Sequence, residues 1–257
     1  MTTFGAAYSA GTAAWAAGPE RVYQPLADLL VEFSPEPVRG RRVLDLGSGT
    51  GAGSRAAMAG GAHVVAADLA IGMLLRDRDL RPPSTVGDAR CLPFRPSAFD
   101  IVLAPFALNH LEDPAEGVRE AGRIGRLLVA STYAADDEHP AKEAVEAALS
   151  ELGWVRPRWY GELKSAMAAW GTVDQATAAV ARGGLRAVAV ERREVAFPDL
   201  GPADMVAWRM GLAYCASFVE ALEPEAQGLV FDRALELLGA DPPPIIRRVI
   251  FLAATPG

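Results

Sequence analysis

The feature that most constrains the fold is the glycine-rich stretch VLDLGSGTG, which runs from Val43 to Gly51. Its first half is a short apolar run typical of a buried strand, and glycines follow at positions 47, 49 and 51. Glycine lets the backbone turn sharply and come close to a ligand, and a helix that begins there points unpaired N–H groups at it. The stretch therefore predicts a strand, a ligand-binding loop and a helix in succession.

Short apolar runs alternate with helix-like segments from residue 42 onward, which predicts a parallel sheet wrapped by helices in an α/β fold. The first five predicted strands are Arg42–Leu46, His63–Ala67, Ser84–Gly87, Asp100–Ala104 and Arg126–Ser131. Two later strands are predicted at 185–197 and 245–254, separated by a long helical stretch from Pro202 to Leu238. The last helix of the first group should begin at Asp113 as N-cap, with Pro114 in its first turn.

Composition narrows the range of partners and locations. The net charge of −7 and the lack of a Lys or Arg stripe argue against a nucleic-acid partner. The two cysteines, Cys91 and Cys215, form neither a disulfide framework nor a metal-ligand pattern, so no metal is expected. With no basic leader and no apolar run of roughly 20 residues, we expect a soluble cytoplasmic protein without a membrane span. Abundant alanine and only two lysines, Lys142 and Lys164, suggest a bacterial origin; the oligomeric state stays open.

The glycine loop by itself fits more than one adenosine-containing cofactor. Gly47, Gly49 and Ala52 match the dinucleotide pattern G-x-G-x-x-G/A. Asp68 follows at the distance where an acid binds a ribose in such folds. A nicotinamide oxidoreductase is therefore one interpretation.

Two further acids favour a different cofactor. Asp45 lies inside the strand before the glycines, where a dinucleotide would bring only phosphates, and its carboxylate suits a positively charged amino group. Asp88, at the end of the third strand, could accept a hydrogen bond from an adenine amino group. An amino acid, a ribose and an adenine together describe S-adenosylmethionine.

Several motifs extend this interpretation, namely VLDLGSGTG, VVAADLAIGML, GDARCLPF, FDIVLAPFALNHLEDP and RLLVAST. Over about residues 20 to 133 the chain resembles the class I S-adenosylmethionine-dependent methyltransferases, and most closely the ubiquinone/menaquinone-type and natural-product branch. The resemblance implies a Rossmann-like, doubly wound, seven-stranded sheet with an antiparallel last strand. It also implies a cofactor site with the methionyl end at Asp45, Gly47, Ser48 and Gly49, the ribose at Asp68 with Leu69 and Met73 nearby, the adenine at Asp88 and Ala89, and a floor of Ala104 and Pro105.

The aromatic residues suggest where an acceptor would bind. All five tryptophans lie outside residues 42–131, so the cofactor core at 41–133 is expected to carry a lid within one domain, 1–257. We expect lid parts in an N-terminal helical cap (1–35), a helical segment (134–182) and an insert (202–238) between the late strands (183–257). The cap would present Phe4, Tyr8, Trp15 and Tyr23 as one wall of a cavity. The stretch from Trp154 to Trp170 would form a second wall. Apolar stripes on two faces of the insert predict that one packs on the sheet and the other overlooks a cavity.

These features predict methyl transfer to a small, largely apolar acceptor, through oxygen or alternatively carbon or nitrogen, in bacterial secondary metabolism. His110, in ALNHLEDP, is the candidate general base, although it could equally line the pocket or cap the next helix. His139 could reach the cavity mouth, and His63 should lie at the surface. Tyrosines 8, 133 and 214 are alternatives. A protein of this fold could also bind the cofactor and catalyse a non-methylating reaction such as cyclisation.

Overall fold

The computed structural model describes residues 3–167 and 170–257, with side chains from Gly5 onward. The predicted wall residue Phe4 thus lies outside the described side chains. The described chain forms a seven-stranded sheet in the order β3-β2-β1-β4-β5-β7-β6. Its strands are β1 (Arg42–Leu46), β2 (His63–Asp68), β3 (Ser84–Val86), β4 (Phe99–Pro105), β5 (Gly125–Tyr133), β6 (Leu185–Phe197) and β7 (Ile245–Pro256). The predicted strands are confirmed to within two residues at nearly every end.

The direction of the strands confirms the predicted fold class. Strands β1 to β5 pair in parallel, whereas β7 lies antiparallel between β5 and β6. β7 is buried along most of its length, and β6, at the edge, alternates between exposed and covered residues. The sequences fit these places, because the apolar β7 lies inside the sheet and the half-polar β6 lies at its edge.

Helices cover both faces of the sheet. They are α1 (Thr3–Ala10), α2 (Thr12–Ala17), α3 (Glu20–Phe33), α4 (Ala52–Ala59), α5 (Ile71–Leu75), α6 (Pro114–Ile124), α7 (Ala141–Glu151), α8 (Arg158–Met167), α9 (Val173–Arg182), α10 (Pro202–Met210), α11 (Ala213–Glu220) and α12 (Pro224–Leu238). α3 and α10 contribute to the core on one face, α6 and α9 to that on the other. α7, α11 and α12 share a third apolar cluster beside the sheet. No helix among the described residues is long and apolar enough to cross a membrane.

Local signals place the helix ends with different success. Asp113 caps α6 as predicted, because its carboxylate accepts a hydrogen bond of 3.1 Å from the Ala115 amide. The stretch from Pro202 to Leu238, however, is three helices and not one. It breaks first at Gly211, where a Cβ would stand 2.4 Å from the Ala14 carbonyl oxygen of α2. It breaks again before Pro224, which begins α12 at a position that needs no N–H donor.

Candidate functional site

The glycine loop after β1 adopts a backbone that side chains rarely allow. Gly47, Gly49 and Gly51 have φ angles of +68°, +51° and +97°. The amides of Gly47 and Ser48 donate to the Ala67 carbonyl oxygen at 2.8 and 3.1 Å, which ties the loop to the end of β2. A Cβ on Gly47 would stand 2.4 Å from the Ala107 Cβ. Gly47 therefore meets both a conformational and a steric requirement.

A first cavity of about 280 Å³ opens above this loop, at the carboxyl ends of β1, β2 and β4. Nine of the eleven cofactor residues named from the sequence line it, namely Gly47, Ser48, Gly49, Asp68, Leu69, Met73, Asp88, Ala89 and Pro105. Parallel strands all end at the same edge of a sheet, which brings residues far apart in sequence into one cleft. The N-terminal helices add Gly5, Tyr8, Trp15 and Tyr23 to its wall.

Asp68 organises the loop as well as lining the cavity. Its Oδ2 accepts a hydrogen bond of 2.8 Å from the Gly49 amide, and its Oδ1 accepts one of 2.7 Å from the Ala70 amide. Burial raises the pKa of this carboxyl, and the two amides counteract that rise. A carboxylate has further lone pairs, so ribose hydroxyls could also donate to Asp68.

Asp88 stands at the other end of the cavity and already has a partner. Arg90 contacts both of its oxygens, with nitrogen–oxygen distances of 3.0 and 2.7 Å. These hydrogen bonds hold the pKa of Asp88 below its usual range, and the carboxyl is only partly buried. Asp88 and Ala89 thus form a polar rim at this end of the first cavity.

Two of the named residues lie behind the cavity surface. Ala104 is fully buried in the apolar core, because β4 turns this side chain away from the cleft. Asp45 is also fully buried, and its Oδ2 accepts a hydrogen bond of 2.6 Å from Ser54. Its Oδ1 has no hydrogen-bond partner among the described residues and lies beside Gly53, which does line the cavity. Burial raises the pKa of Asp45 to about 6.

Arg81 supports the site, although no sequence motif pointed to it. Its guanidinium donates to the carbonyl oxygens of Gly49 and Met73 at 2.8 and 2.7 Å. It also donates to the Ser48 hydroxyl at 3.0 Å. Arg81 therefore connects the glycine loop to α5, and its positive charge partly offsets the rise in the pKa of Asp45.

A second cavity of about 240 Å³ adjoins the first. The two share four side chains: Tyr8, Tyr23, Phe106 and His110. Beyond this common wall, the second cavity is lined by aromatic residues from β5, α8, α10 and α11, namely Tyr133, Trp159, Tyr160, Trp208 and Tyr214. Trp154 and Trp170, also expected near the acceptor, are buried in apolar clusters instead.

Phe106 sits at the centre of the common wall in a strained conformation. Its φ is +54°, a left-handed value that a phenylalanine rarely adopts. Its ring stacks on Tyr133 with centroids 4.4 Å apart and meets Tyr23 edge-on at 5.3 Å. This packing holds the Phe106 ring between the two cavities, and nothing in the local sequence indicated it.

The histidines occupy three different settings. His110 borders both cavities, contacts Tyr8 edge-on at 5.7 Å, and has its pKa lowered to about 4 by burial. It is therefore neutral at pH 7. His139 does not reach the cavity mouth: its Nε2 donates to the Pro243 carbonyl oxygen at 2.9 Å, and its Nδ1 accepts from the Ala141 amide. His63 is exposed, as predicted.

Comparison with known proteins matches part of the chain to a family model. A model described as a methyltransferase domain matches residues 44–127. The demethylmenaquinone methyltransferase of Clavibacter sepedonicus is 42% identical over 102 residues, which cover 36% of this chain and 42% of that protein. The chain therefore spans less than half the length of the curated relatives that it matches.

Solved structures match over more of the chain. A protein described as a methyltransferase from an antibiotic biosynthesis pathway of Anabaena variabilis has a TM-score of 0.57 at 21% identity, covering 89% of this chain and 96% of that one. The cyclase SpnF has a TM-score of 0.52 at 18% identity, covering 90% and 80%. At such identities the likeness concerns the fold. Together with the matched segment, it shows that the chain is similar to methyltransferases in residues 44–127 and in its overall fold.

Proposed function

We propose that this protein transfers the methyl group of S-adenosylmethionine to a small, largely apolar acceptor, most directly to an oxygen atom. Carbon and nitrogen acceptors fit the same geometry. One observation carries the proposal: a cavity built on the glycine loop shares a wall with an aromatic cavity, so two ligands could meet at Phe106 and His110. A role in bacterial secondary metabolism is part of this proposal.

The residues around the first cavity fit the cofactor. The Oδ1 of Asp45 is a buried acceptor beside Gly53, and a Cβ at residue 53 would stand 2.5 Å from it. A positively charged amino group at Gly53 would give this oxygen a partner. Asp68 would receive the ribose hydroxyls, and Asp88 with Ala89 would border the adenine. Two structural neighbours, both structures of the phosphoethanolamine N-methyltransferase 2 of Haemonchus contortus, hold S-adenosylhomocysteine or S-adenosylmethionine.

The cofactor supplies an activated methyl group on a sulfonium centre, so the chain's own task is alignment and the exclusion of water. The common wall of Tyr8, Tyr23, Phe106 and His110 stands where the acceptor would meet the cofactor. We propose that the helices of residues 1–35 and 202–238, together with α8, form the lid that closes over both ligands. Each of these segments contributes aromatic side chains to the cavities.

We assign His110 the role of accepting a hydrogen bond from the reacting hydroxyl. Its lowered pKa keeps the imidazole neutral at pH 7, so that a ring nitrogen can accept a hydrogen bond from the hydroxyl and orient it. Replacing His110 with Ala is expected to lower kcat by about a hundredfold while the affinity for S-adenosylhomocysteine stays within a few-fold. Unchanged turnover would remove His110 from the reaction.

The direct test has two readouts. Titration calorimetry should show binding of S-adenosylmethionine and S-adenosylhomocysteine, and binding of NAD alone would instead support the oxidoreductase interpretation. Mass spectrometry of reactions with a panel of phenols and hydroxylated polyketides should detect conversion of S-adenosylmethionine to S-adenosylhomocysteine. An acceptor that is converted without this change would favour the alternative, a non-methylating reaction such as cyclisation, which a neighbour of the same fold is named for.

A further inference from the structure

The second cavity carries more positive charge than an apolar acceptor requires. Four cationic side chains line it, Lys142, Lys164, Arg209 and Arg247, against two acids, Asp137 and Glu138. These lysines are the only two in a chain whose net charge is −7. The concentration of cations in one cavity of an acidic protein indicates an anionic occupant.

Arg247 already has a buried counter-charge, although its Nε and Nη1 have no hydrogen-bond partner among the described residues. Its guanidinium forms an ion pair with Asp137, and both side chains are almost fully buried. Its Cζ also lies 4.2 Å from the centroid of the Tyr133 ring and 4.6 Å from that of Trp208. The charge of Arg247 is thus balanced within the protein.

Arg209 is also buried, with only 6% of its surface exposed, but it lacks such a partner. Its side chain takes part in none of the hydrogen bonds or ion pairs found among the described residues, and its Nε is buried without a partner. Its Cζ stands 4.3 Å from the centroid of the Trp208 ring, which can offset only part of the charge. A buried cation with no counter-charge is costly, so the arrangement favours a ligand that supplies one.

The neighbouring acids that are buried or half-buried are occupied, and Glu138 is exposed to solvent. Asp137 pairs with Arg247. Glu146 and Arg209 shift the pKa of Tyr214 in opposite directions, and Glu146 pairs with Arg156. The charge of Arg209 also acts on Lys164 and contributes to a lowered pKa of that ammonium, after burial and Lys142. Cations therefore repel one another across this cavity, and an anion would relieve the repulsion.

We propose that the acceptor is a small aromatic or conjugated carboxylic acid whose carboxylate binds to Arg209. Tyr160 and Tyr214 form one side of the cavity, with parallel rings 3.8 Å apart, and suit a flat apolar body. Arg209 lines the second cavity and not the first, so the carboxylate is the distal end of the acceptor. The reacting atom lies at the common wall with His110. This inference rests on the proposed function for the identity of the reaction, but not for the anion site.

Titration calorimetry with 2-naphthoate and its neutral analogue 2-naphthamide tests the anion site. Both are measured at pH 7.5 and low ionic strength, with and without S-adenosylhomocysteine. The wild-type protein is expected to bind the carboxylate about ten- to a hundredfold more tightly than the amide, since hydrogen bonds to charged groups are strong. In Arg209→Met this preference should fall to about one, whereas Arg209→Lys should retain part of it.

Arg95→Met is the matched control, because Arg95 is exposed and outside both cavities and the same net charge is lost. It should keep the wild-type preference. Equal binding of the two probes to the wild type, no binding of 2-naphthoate, or the same preference in Arg209→Met would overturn the proposal. A melting temperature of Arg209→Met no lower than that of the wild type shows that this variant folds. If its melting temperature is lower, the test is the preference of Arg209→Lys for 2-naphthoate over 2-naphthamide, and a preference equal to that of the wild type would then overturn the proposal.

The two proposals can fail separately. Arg209-dependent binding of 2-naphthoate without any binding of S-adenosylmethionine would leave the anion site standing and remove the methyltransferase function. Conversion of S-adenosylmethionine with neutral phenols as acceptors, and with no preference for acids in any variant, would leave the methyltransferase function standing and remove the anion site.

Discussion

The two cavities differ in how they are built. The first is made largely from backbone and small side chains between Leu46 and Glu112 that follow strands of the sheet, and only one wall comes from the N-terminal helices. The second takes its side chains from the N-terminal helices, β5, α7, α8, α10, α11 and β7. A ligand that binds at strand ends can be recognised from local motifs, whereas a cavity walled by distant elements depends on how they pack.

The two buried arginines of the second cavity also differ from each other, because one has a counter-charge and the other does not. Arg247 and Arg209 contact the same Trp208 ring, but only Arg247 has a carboxylate partner. A paired buried charge contributes to the fold, and an unpaired one is better explained by a ligand. Removing each cation in turn therefore separates structure from binding.

The largest expected effect is on stability. Arg247→Met leaves Asp137 charged and buried without its cation, which should lower the free energy of unfolding by about 3–5 kcal/mol. Arg248→Met is the control: Arg248 forms partly exposed ion pairs with Glu194 and Asp136, so its loss should cost less than about 1 kcal/mol. Urea unfolding measures both. Equal losses would mean that Arg247→Met does not leave Asp137 as an uncompensated buried charge.

The next effect concerns the glycine loop. Gly47→Ala is expected to weaken binding of S-adenosylhomocysteine by at least about a hundredfold, because the new Cβ clashes with Ala107 and the loop must move. Gly40→Ala is a matched control, since Gly40 has a similar φ of +71° but open space around it. It should lose about 1 kcal/mol of stability and no affinity. Titration calorimetry measures both variants. Wild-type affinity of Gly47→Ala for S-adenosylhomocysteine would contradict the assignment of the glycine loop to the cofactor site.

The smallest effect is a pH dependence that originates at Asp45. Its pKa is raised to about 6, so the carboxyl is ionised at pH 7.5 and mostly protonated at pH 5. A positively charged amino group needs the ionised form, and the affinity for S-adenosylhomocysteine should therefore fall about tenfold between these pH values. Stability without ligand should change in the opposite sense: a raised pKa favours the folded state at low pH, and this contribution is lost as the pH rises through about 6.

Two variants check the origin of that dependence. Asp45→Asn should bind S-adenosylhomocysteine weakly and show little change between pH 5 and 7.5. Asp100→Asn is the control, because Arg42 holds the pKa of Asp100 at about 2, outside the range tested. An affinity that still falls tenfold in Asp45→Asn would assign the titration to another group.

Local sequence patterns determined the strands, the glycine loop and the cap at Asp113, and the family resemblance named nine of the residues around the first cavity. These features depend on neighbours in sequence or on the rule that parallel strands end at one edge, so they can be recognised without the fold. The apolar stripes misled at Gly211, where α10 ends although the apolar periodicity continues. They could not show that Ala104 and Asp45 would lie behind the cavity surface.

Only the tertiary structure decided the second cavity. The left-handed Phe106, the pairing of Arg247 with Asp137 and the unpaired Arg209 all depend on contacts between elements far apart in the chain. The two lysines were visible as a rarity of composition, but their meeting in one cavity was not. Charge acquires meaning from burial and partners, and both are properties of packing that no single segment of sequence contains.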